Sequence, residues 1–145
     1  MHDSRFRQVA PGFYVAPQLE AGDFAAARAA GIRTVINNRP DGEAAGQLTD
    51  EEARALAEAA GLAYAFVPVS PGGIGSEAVA AFAQAVEANP GPYLAYCRSG
   101  TRSCHMWAFN AARSQPTREI VAAAAAAGYD LGPALPALRR IAGEG

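Results

Sequence analysis

An apolar segment, Tyr93–Tyr96, runs directly into a polar segment that begins at Cys97. This order is typical of a buried strand that ends in a loop, and a helix is expected to follow. Backbone N–H groups from Arg98 to Arg102 can then point at one centre, supplemented by the helix N-terminus. Cys97 would lie at the bottom of this cradle, where the positive field favours the nucleophilic thiolate. The stretch therefore predicts an anion-binding cysteine site.

Short apolar segments alternate with segments of helical pattern along the rest of the chain. We expect strands at residues 13–16, 32–37, 64–69 and 93–96. We expect helices at residues 24–30, 50–60, 77–88, 103–113, 117–127 and 136–141. Their N-caps are predicted at Asp23, Ser76 and Thr117, with a capping box formed by Thr49 and Glu52. The alternation predicts an α/β fold with a central, mostly parallel sheet of four to five strands flanked by helices.

Length and charge exclude several classes of protein. The 145 residues suit a single domain spanning 1–145 that buries roughly 70% of its unfolded surface. A formal net charge of −2 gives no general attraction to nucleic acid or to an anionic membrane. All twelve basic residues are arginine, which excludes lysine Schiff-base chemistry and a P-loop lysine.

The chain shows neither an apolar window long enough for a membrane span nor the apolar core of a signal peptide near Met1. We therefore expect a cytoplasmic protein without a membrane partner. In that compartment the thiols of Cys97 and Cys104 are normally reduced.

Three loops follow predicted strands, and in a parallel sheet they would meet at one edge. They are the Cys97 loop, residues 38–43 and residues 70–75. The second loop holds Arg39, Asp41 and Glu43 as possible accessory groups, although it also has the composition of a surface turn. Arg39 can equally pair with Glu43 in a purely structural role. The sequence thus predicts an anion site assembled from separate parts of the chain.

Residues 97–103, Cys-Arg-Ser-Gly-Thr-Arg-Ser, resemble the active-site loop of rhodanese-type sulfurtransferases, which commonly have Cys-Arg-x-Gly-x-Arg-Ser. The surrounding chain instead resembles the protein tyrosine and dual-specificity phosphatase fold, at residues 12–15 and 31–37. Over nearly its whole length, and notably at residues 37–43 and 96–103, the chain is similar to the bacterial beta-lactamase hydrolase-like, phosphatase-like domain family. The resemblance implies a cysteine-phosphatase-like fold, and some members of that family are labelled sulfur transferases.

Three departures from the cysteine phosphatases bear on the reaction. Those enzymes place five residues between cysteine and arginine, whereas only four separate Cys97 from Arg102, so the cradle is expected to be tighter. They also need a general acid, usually an aspartate in the loop after the strand that here ends at Val69. Residues 70–73 contain no carboxylate, and Tyr96 replaces the histidine that often precedes their cysteine. Sulfane sulfur transfer needs no such acid.

The sequence therefore favours a cysteine-dependent sulfurtransferase in which Cys97 is the nucleophile and Arg102 clamps the anion. The expected donor is a small anionic sulfur compound such as thiosulfate or a low-molecular-weight persulfide, and the acceptor is a thiol. The predicted anion-binding loop consists of Arg98, Ser99, Gly100, Thr101, Arg102 and Ser103. Neither a cofactor nor a metal is expected.

Two alternatives remain open at this point. One is a phosphatase that acts on a phosphate ester through a phosphocysteine, with Asp41 or Glu43 as the acid. The other is a non-catalytic module that binds an oxyanion or senses redox state through Cys97.

Cys104 and His105 follow the loop on the predicted helix. Cys104 can be a resolving thiol or a sulfur acceptor, but a cysteine in an alanine-rich helix is more often part of the core. The two cysteines and His105 lack the ligand spacing of a zinc site.

Overall fold

The computed structural model describes residues 5–144, in which five strands form one sheet. The strand order is β1-β2-β5-β3-β4, and all neighbours are parallel except β1 and β2. This confirms the predicted α/β fold with a mostly parallel sheet. The strands are β1 (Arg7–Ala10), β2 (Phe13–Ala16), β3 (Thr34–Asn37), β4 (Ala63–Phe66) and β5 (Tyr93–Tyr96). β1 was not predicted, because its four residues at the sheet edge lack a clear apolar alternation.

Six α-helices cover the sheet, and a short 3₁₀ helix at Gly132–Ala134 precedes the last of them. They are α1 (Ala21–Ala29), α2 (Asp50–Ala59), α3 (Ser76–Ala88), α4 (Thr101–Ala111), α5 (Thr117–Ala126) and α6 (Leu135–Ile141). Among residues 5–144, no helix combines the length and the apolar character that crossing a membrane requires.

Three helices begin earlier in the chain than their predicted N-cap residues imply. Asp23 lies inside α1 and accepts a hydrogen bond from the Glu20 N–H at 2.7 Å, so Glu20 is the N-cap. Ser76 and Thr117 are likewise the first residues of α3 and α5 rather than their caps. The capping box of α2 is confirmed, with Thr49 accepting from the Glu52 N–H at 3.1 Å.

The start of α4 is the boundary that matters most for the site. The helix begins at Thr101, two residues before the predicted start at Ser103. Gly100 precedes it in the left-handed region, with φ of 96°. A residue without Cβ reaches this conformation at little cost, so the chain turns into the helix at once. Arg102 therefore projects from the first turn of a helix and not from a loop.

The sheet separates two apolar cores because its side chains alternate between the two faces. Phe13, Val15 and Ile36 face the core formed with α3, α4, α5 and α6. Leu94 and Tyr96 face the core formed with α1 and α2. Both faces are covered, so the loops at the carboxyl ends of the parallel strands provide the place for a ligand. Cys97 follows β5, which lies at the centre of the sheet.

Candidate active site

Cys97 lies at the base of the loop between β5 and α4 and is fully buried. Its Sγ accepts a hydrogen bond from the Gly100 N–H at 3.2 Å, so the backbone folds back over the sulfur. The N–H of Cys97 donates to the Ala16 carbonyl at 3.4 Å and continues the pairing of β5 with β2. The N–H groups of the first turn of α4 have no intrahelical acceptors, and this end of the helix favours an anion. Sulfur, backbone donors and helix N-terminus thus form a cradle.

Tyr129 supports the cradle from behind and was not identified in the sequence. Its hydroxyl lies 3.4 Å from the Ser99 carbonyl oxygen. A Cβ on Gly100 would lie only 2.2 Å from the Tyr129 hydroxyl oxygen, so the side chain fits only against a glycine. The Arg7 guanidinium in turn lies 5.6 Å from the centre of the Tyr129 ring. No local pattern around Tyr129 signals this contact, which depends on residues distant in sequence.

Arg102 joins the three loops that were predicted to meet at this edge. Its Nη1 and Nη2 each donate to one carboxylate oxygen of Glu43 at 2.8 Å, and Nη1 also donates to the Val69 carbonyl at 2.8 Å. Such a two-point pair fixes both the position and the plane of the guanidinium. The hydrogen bonds that Arg102 donates to Glu43 raise the pKa of Arg102, and the nearby Cys97 adds to this effect. Arg102 is therefore held, charged, beside the cradle.

Arg39 is buried and pairs with Glu43, which is the pairing that the sequence allowed. Its Nε donates to a Glu43 carboxylate oxygen at 2.9 Å, and its Nη1 donates to the Gln18 side-chain oxygen at 3.0 Å. Gln18 follows β2 and was not predicted as a site residue. Its position after a parallel strand could have indicated it, because the other loops were predicted to meet on the same ground. Its backbone N–H donates to the Arg98 carbonyl at 3.2 Å. A fourth loop therefore borders the cradle.

The two carboxylates in the loop at residues 38–43 both have hydrogen-bond partners. Hydrogen bonding from Arg102, and to a lesser extent from Arg39, outweighs burial and lowers the pKa of Glu43 to about 2. Glu43 is thus ionised at neutral pH and has no proton to give. Asp41 is exposed, and its Oδ1 accepts from the Asp50 N–H at 2.7 Å at the start of α2. The loop at residues 70–75 contains no carboxylate.

The remaining residues of the predicted loop differ in their environment. Arg98 is exposed at the rim. The Ser99 hydroxyl donates to the Thr101 hydroxyl at 3.0 Å, also on the exposed side. Ser103 is fully buried and donates to the Asn38 side-chain oxygen at 2.9 Å, which links α4 to the segment after β3. Ser103 therefore fastens the helix behind the cradle and does not face its opening.

Cys104 lies in the apolar core and is fully buried. Burial, together with the charge of Cys97, raises the pKa of Cys104 to about 12, so it stays a thiol at neutral pH. His105 Nδ1 donates a hydrogen bond to the Thr101 carbonyl oxygen at 2.9 Å. Within residues 5–144 no three His, Cys, Asp or Glu side chains come together as a metal site would require.

Comparison with known proteins places this chain in a family. Residues 5–114 match the model of the family described as "Beta-lactamase hydrolase-like protein, phosphatase-like domain". A beta-lactamase hydrolase-like protein of Xylella fastidiosa is 38% identical over 112 residues, which cover 76% of this chain and 26% of that protein. The chain therefore spans about a quarter of the length of this relative.

Solved structures agree with the family match. The crystal structure of a candidate phosphatase from Neisseria meningitidis has 33% identity and a TM-score of 0.82, covering 96% of this chain and 99% of the other. The structure of a cysteine-to-serine variant of TpbA from Pseudomonas aeruginosa, in complex with phosphotyrosine, has a TM-score of 0.66 at 16% identity. The match covers 100% of this chain and 95% of TpbA, so the two share the fold. The chain belongs to the beta-lactamase hydrolase-like protein, phosphatase-like domain family.

Proposed function

We propose that the protein is a sulfurtransferase in which Cys97 carries sulfur as a persulfide. The observation that carries the proposal is a buried cysteine beneath backbone N–H donors, where the nearby Glu43 is held ionised by Arg102 and Arg39. Glu43 is ionised through its pair with Arg102, and Asp41 is engaged at the start of α2. A reaction that needs no proton donor suits this arrangement best.

The leaving group decides how much an acid is needed. An alkoxide released from a phosphate ester is strongly basic and must be protonated as it leaves. Sulfite, which thiosulfate releases, is a much weaker base and leaves as the anion. The absence of a carboxyl acid on the segments around Cys97 therefore costs little in sulfur transfer and much in the hydrolysis of alkyl phosphates.

The reaction has two displacement steps. The Cys97 thiolate attacks the outer sulfur of thiosulfate, the S–S bond breaks, and sulfite leaves with the bonding electron pair. An acceptor thiolate then attacks the outer sulfur of the Cys97 persulfide, and the Cys97 thiolate is the leaving group. Atoms and charge balance in each step, and neither an oxidant nor a metal takes part.

Arg102 and the backbone N–H groups would hold the anionic parts of donor and intermediate. Preorganised donors of this kind stabilise charge more effectively than water does, because they need not reorient during the reaction. The guanidinium is already oriented by Glu43 and the Val69 carbonyl, and the Gly100 N–H already points at Sγ. The terminal sulfur of a persulfide carries its negative charge one bond beyond Sγ.

Mass spectrometry of the intact protein tests the proposal. After incubation with thiosulfate or glutathione persulfide, and removal of the donor, we expect one added sulfur on Cys97 that a thiol then removes. Cys97→Ser should show no gain. Failure of every donor to load folded wild-type protein would overturn the proposal.

A phosphatase is the second candidate, and it is favoured by the family and by the solved structures that share the fold. TpbA was crystallised with phosphotyrosine, whose phenolate is a better leaving group than an alkoxide. If this chain hydrolyses phosphate esters, we expect aryl phosphates to react far faster than alkyl phosphates. Turnover that disappears in Cys97→Ser and also falls in Asp41→Asn would make phosphatase activity the better assignment, with Asp41 as the acid.

A further inference from the structure

An apolar groove opens beside Arg102. Its volume is about 420 Å³, and it lies between the loop at residues 70–74, helix α4 and the start of α6. Thr101, Arg102 and His105 line the end nearest the cradle. The remainder of the wall is mostly apolar and includes Pro71, Ile74, Phe109, Pro133, Ala134 and Ala137.

A second groove of about 750 Å³ continues from the first along α3 and α6. The two share Ile74, Phe109 and Ala137, so they form one path that leads away from Arg102. Further along, Val79 and Ile141 contribute to the wall. Ile141 is 40% exposed, and it is the one large hydrophobic side chain that is exposed within residues 5–144. The groove therefore presents apolar surface that remains uncovered in the folded chain.

Charge and shape indicate what fits this path. One end is cationic, because Arg102 and Arg39 there share the single carboxylate of Glu43. The walls beyond it are mostly apolar, although Ser76, Gln84, Glu87 and Arg113 also line the second groove. A ligand with an anionic head and an elongated apolar body matches both parts. Thiosulfate alone would occupy only the cradle and leave the apolar walls in contact with water, which is unfavourable. Because Thr101 and Arg102 belong both to the anion-binding loop and to the groove wall, their position points to a larger donor than thiosulfate.

We propose that the groove binds the apolar part of the sulfur donor, and that the donor class is an anionic sulfane compound with an alkyl chain, as in an alkyl thiosulfonate. This inference rests on the proposed sulfurtransferase function. The Cys97 thiolate attacks the outer sulfur of the thiosulfonate, the bond between the two sulfurs breaks, and the sulfinate leaves with the electron pair. Cys97 again becomes a persulfide, and no proton is needed.

The length of the alkyl chain provides the test. Each methylene buried in the groove should improve kcat/KM roughly three- to fourfold, until the groove is filled. Loading of Cys97 is therefore measured with methane-, butane- and hexanethiosulfonate, with thiosulfate as the reference. We expect the hexane compound to be the best donor by at least tenfold over the methane compound.

Ala137→Phe tests the position of the chain, because Ala137 lines both grooves where they join. The added ring should block the path, so the ratio of hexane- to methanethiosulfonate activity should fall at least fivefold. Ala125→Phe is the matched control, since Ala125 is exposed on α5 and lies outside both grooves. The control should keep the wild-type ratio.

A measurement on unaltered protein makes the test independent of how the variant folds. Unreactive alkyl sulfonates should protect Cys97 of wild-type protein from iodoacetamide, with hexanesulfonate effective at concentrations at least tenfold lower than methanesulfonate. Equal protection by both would overturn the inference.

Failure of the inference is distinguishable from failure of the function. Cys97-dependent loading with no dependence on chain length would overturn the groove assignment and leave the sulfurtransferase intact. A chain-length effect confined to alkyl thiol acceptors would also overturn it, because the groove would then bind the acceptor. No loading of Cys97 by any donor would instead refute the proposed function.

Discussion

The cradle around Cys97 is supported on two sides by different kinds of interaction. At the back, the Tyr129 ring and hydroxyl pack against Gly100, which leaves no room for a Cβ. At the rim, the Glu43 carboxylate holds both Arg102 and Arg39 through ion pairs. The first support depends mainly on shape, whereas the second depends on the charge of one carboxylate.

The difference teaches how the site is kept ready for an anion. Packing excludes alternative conformations of the loop at acidic and neutral pH, because burial raises the pKa of Tyr129 and its hydroxyl stays protonated there. The ion pairs orient two guanidinium groups, but only while Glu43 is ionised. Variants of each support, with matched controls, distinguish these contributions.

Gly100→Ala should have the largest effect because it breaks the packed support. The added Cβ would meet the Tyr129 hydroxyl at 2.2 Å, in a backbone conformation that side chains rarely adopt. Backbone strain and overpacking together should lower the free energy of unfolding by about 4 kcal/mol, measured by urea denaturation.

Gly46→Ala is the control for Gly100→Ala. Gly46 also has positive φ, at 76°, but a Cβ there meets no atom within 4 Å. Gly46→Ala should therefore lower the free energy of unfolding only through backbone strain, by about 1 kcal/mol. Adding Tyr129→Phe to Gly100→Ala removes the closest atom and should restore part of the loss. Equal stability of the two alanine variants would refute the role of Tyr129.

Glu43→Gln breaks the ionic support and should have the next largest effect. The amide cannot accept two strong hydrogen bonds from Arg102 as well as one from Arg39, so buried guanidinium donors lose partners. We expect a loss of roughly 2 kcal/mol in unfolding free energy and a clear drop in the rate at which Cys97 is loaded. Glu58→Gln, at an exposed position, is the control and should behave as wild type.

The pH dependence sharpens the comparison further. The pKa of Glu43 is lowered from its ordinary value of 4.5 to about 2. Its contribution to stability is therefore fully present above pH 4.5 and is lost as the pH falls toward 2. The stability difference between wild type and Glu43→Gln should shrink between pH 5 and pH 2. The difference between Gly46→Ala and Gly100→Ala should stay constant over the same range, and a parallel decline would mean that the two supports are coupled.

Cys104→Ala should have the smallest effect, since Cys104 belongs to neither support. The loss of a buried sulfur should cost about 1 kcal/mol in the free energy of unfolding. Because the pKa of Cys104 is raised to about 12, its thiol should take no part in sulfur transfer. Loading and release of sulfur on Cys97 are measured by mass spectrometry, and an impaired release would identify Cys104 as a resolving thiol.

Local sequence patterns were sufficient to predict the parallel strands and the loops that border the site. The alternation of apolar runs with helical segments located β5, and the four residues between Cys97 and Arg102 defined the loop. The capping box of Thr49 and Glu52 is confirmed because its hydrogen bonds lie within one helical turn. Some features determined by neighbouring residues could thus be predicted, whereas the N-caps of α1, α3 and α5 were placed one to three residues too late.

Contacts between distant residues could not be predicted in this way. Gln18 meets Arg39 only because β2 and β3 both pair with β5, and Tyr129 meets Gly100 only after α5 has packed on the sheet. The start of α4 was also missed, since the left-handed conformation of Gly100 is a response to its surroundings. The position of a loop after a strand indicates which loops meet, but it does not indicate which of their side chains make contact.

The contact of β1 with the Tyr129 region has a consequence for the order of assembly during synthesis. Arg7 donates to the Ala127 carbonyl, 120 residues away, and lies over the Tyr129 ring that packs on Gly100. A nascent chain that ends near residue 114 already contains the cysteine and both arginines, yet its loop has no support from behind. Residues 127–129 must therefore leave the ribosome before β1 can make these contacts and the cradle is complete.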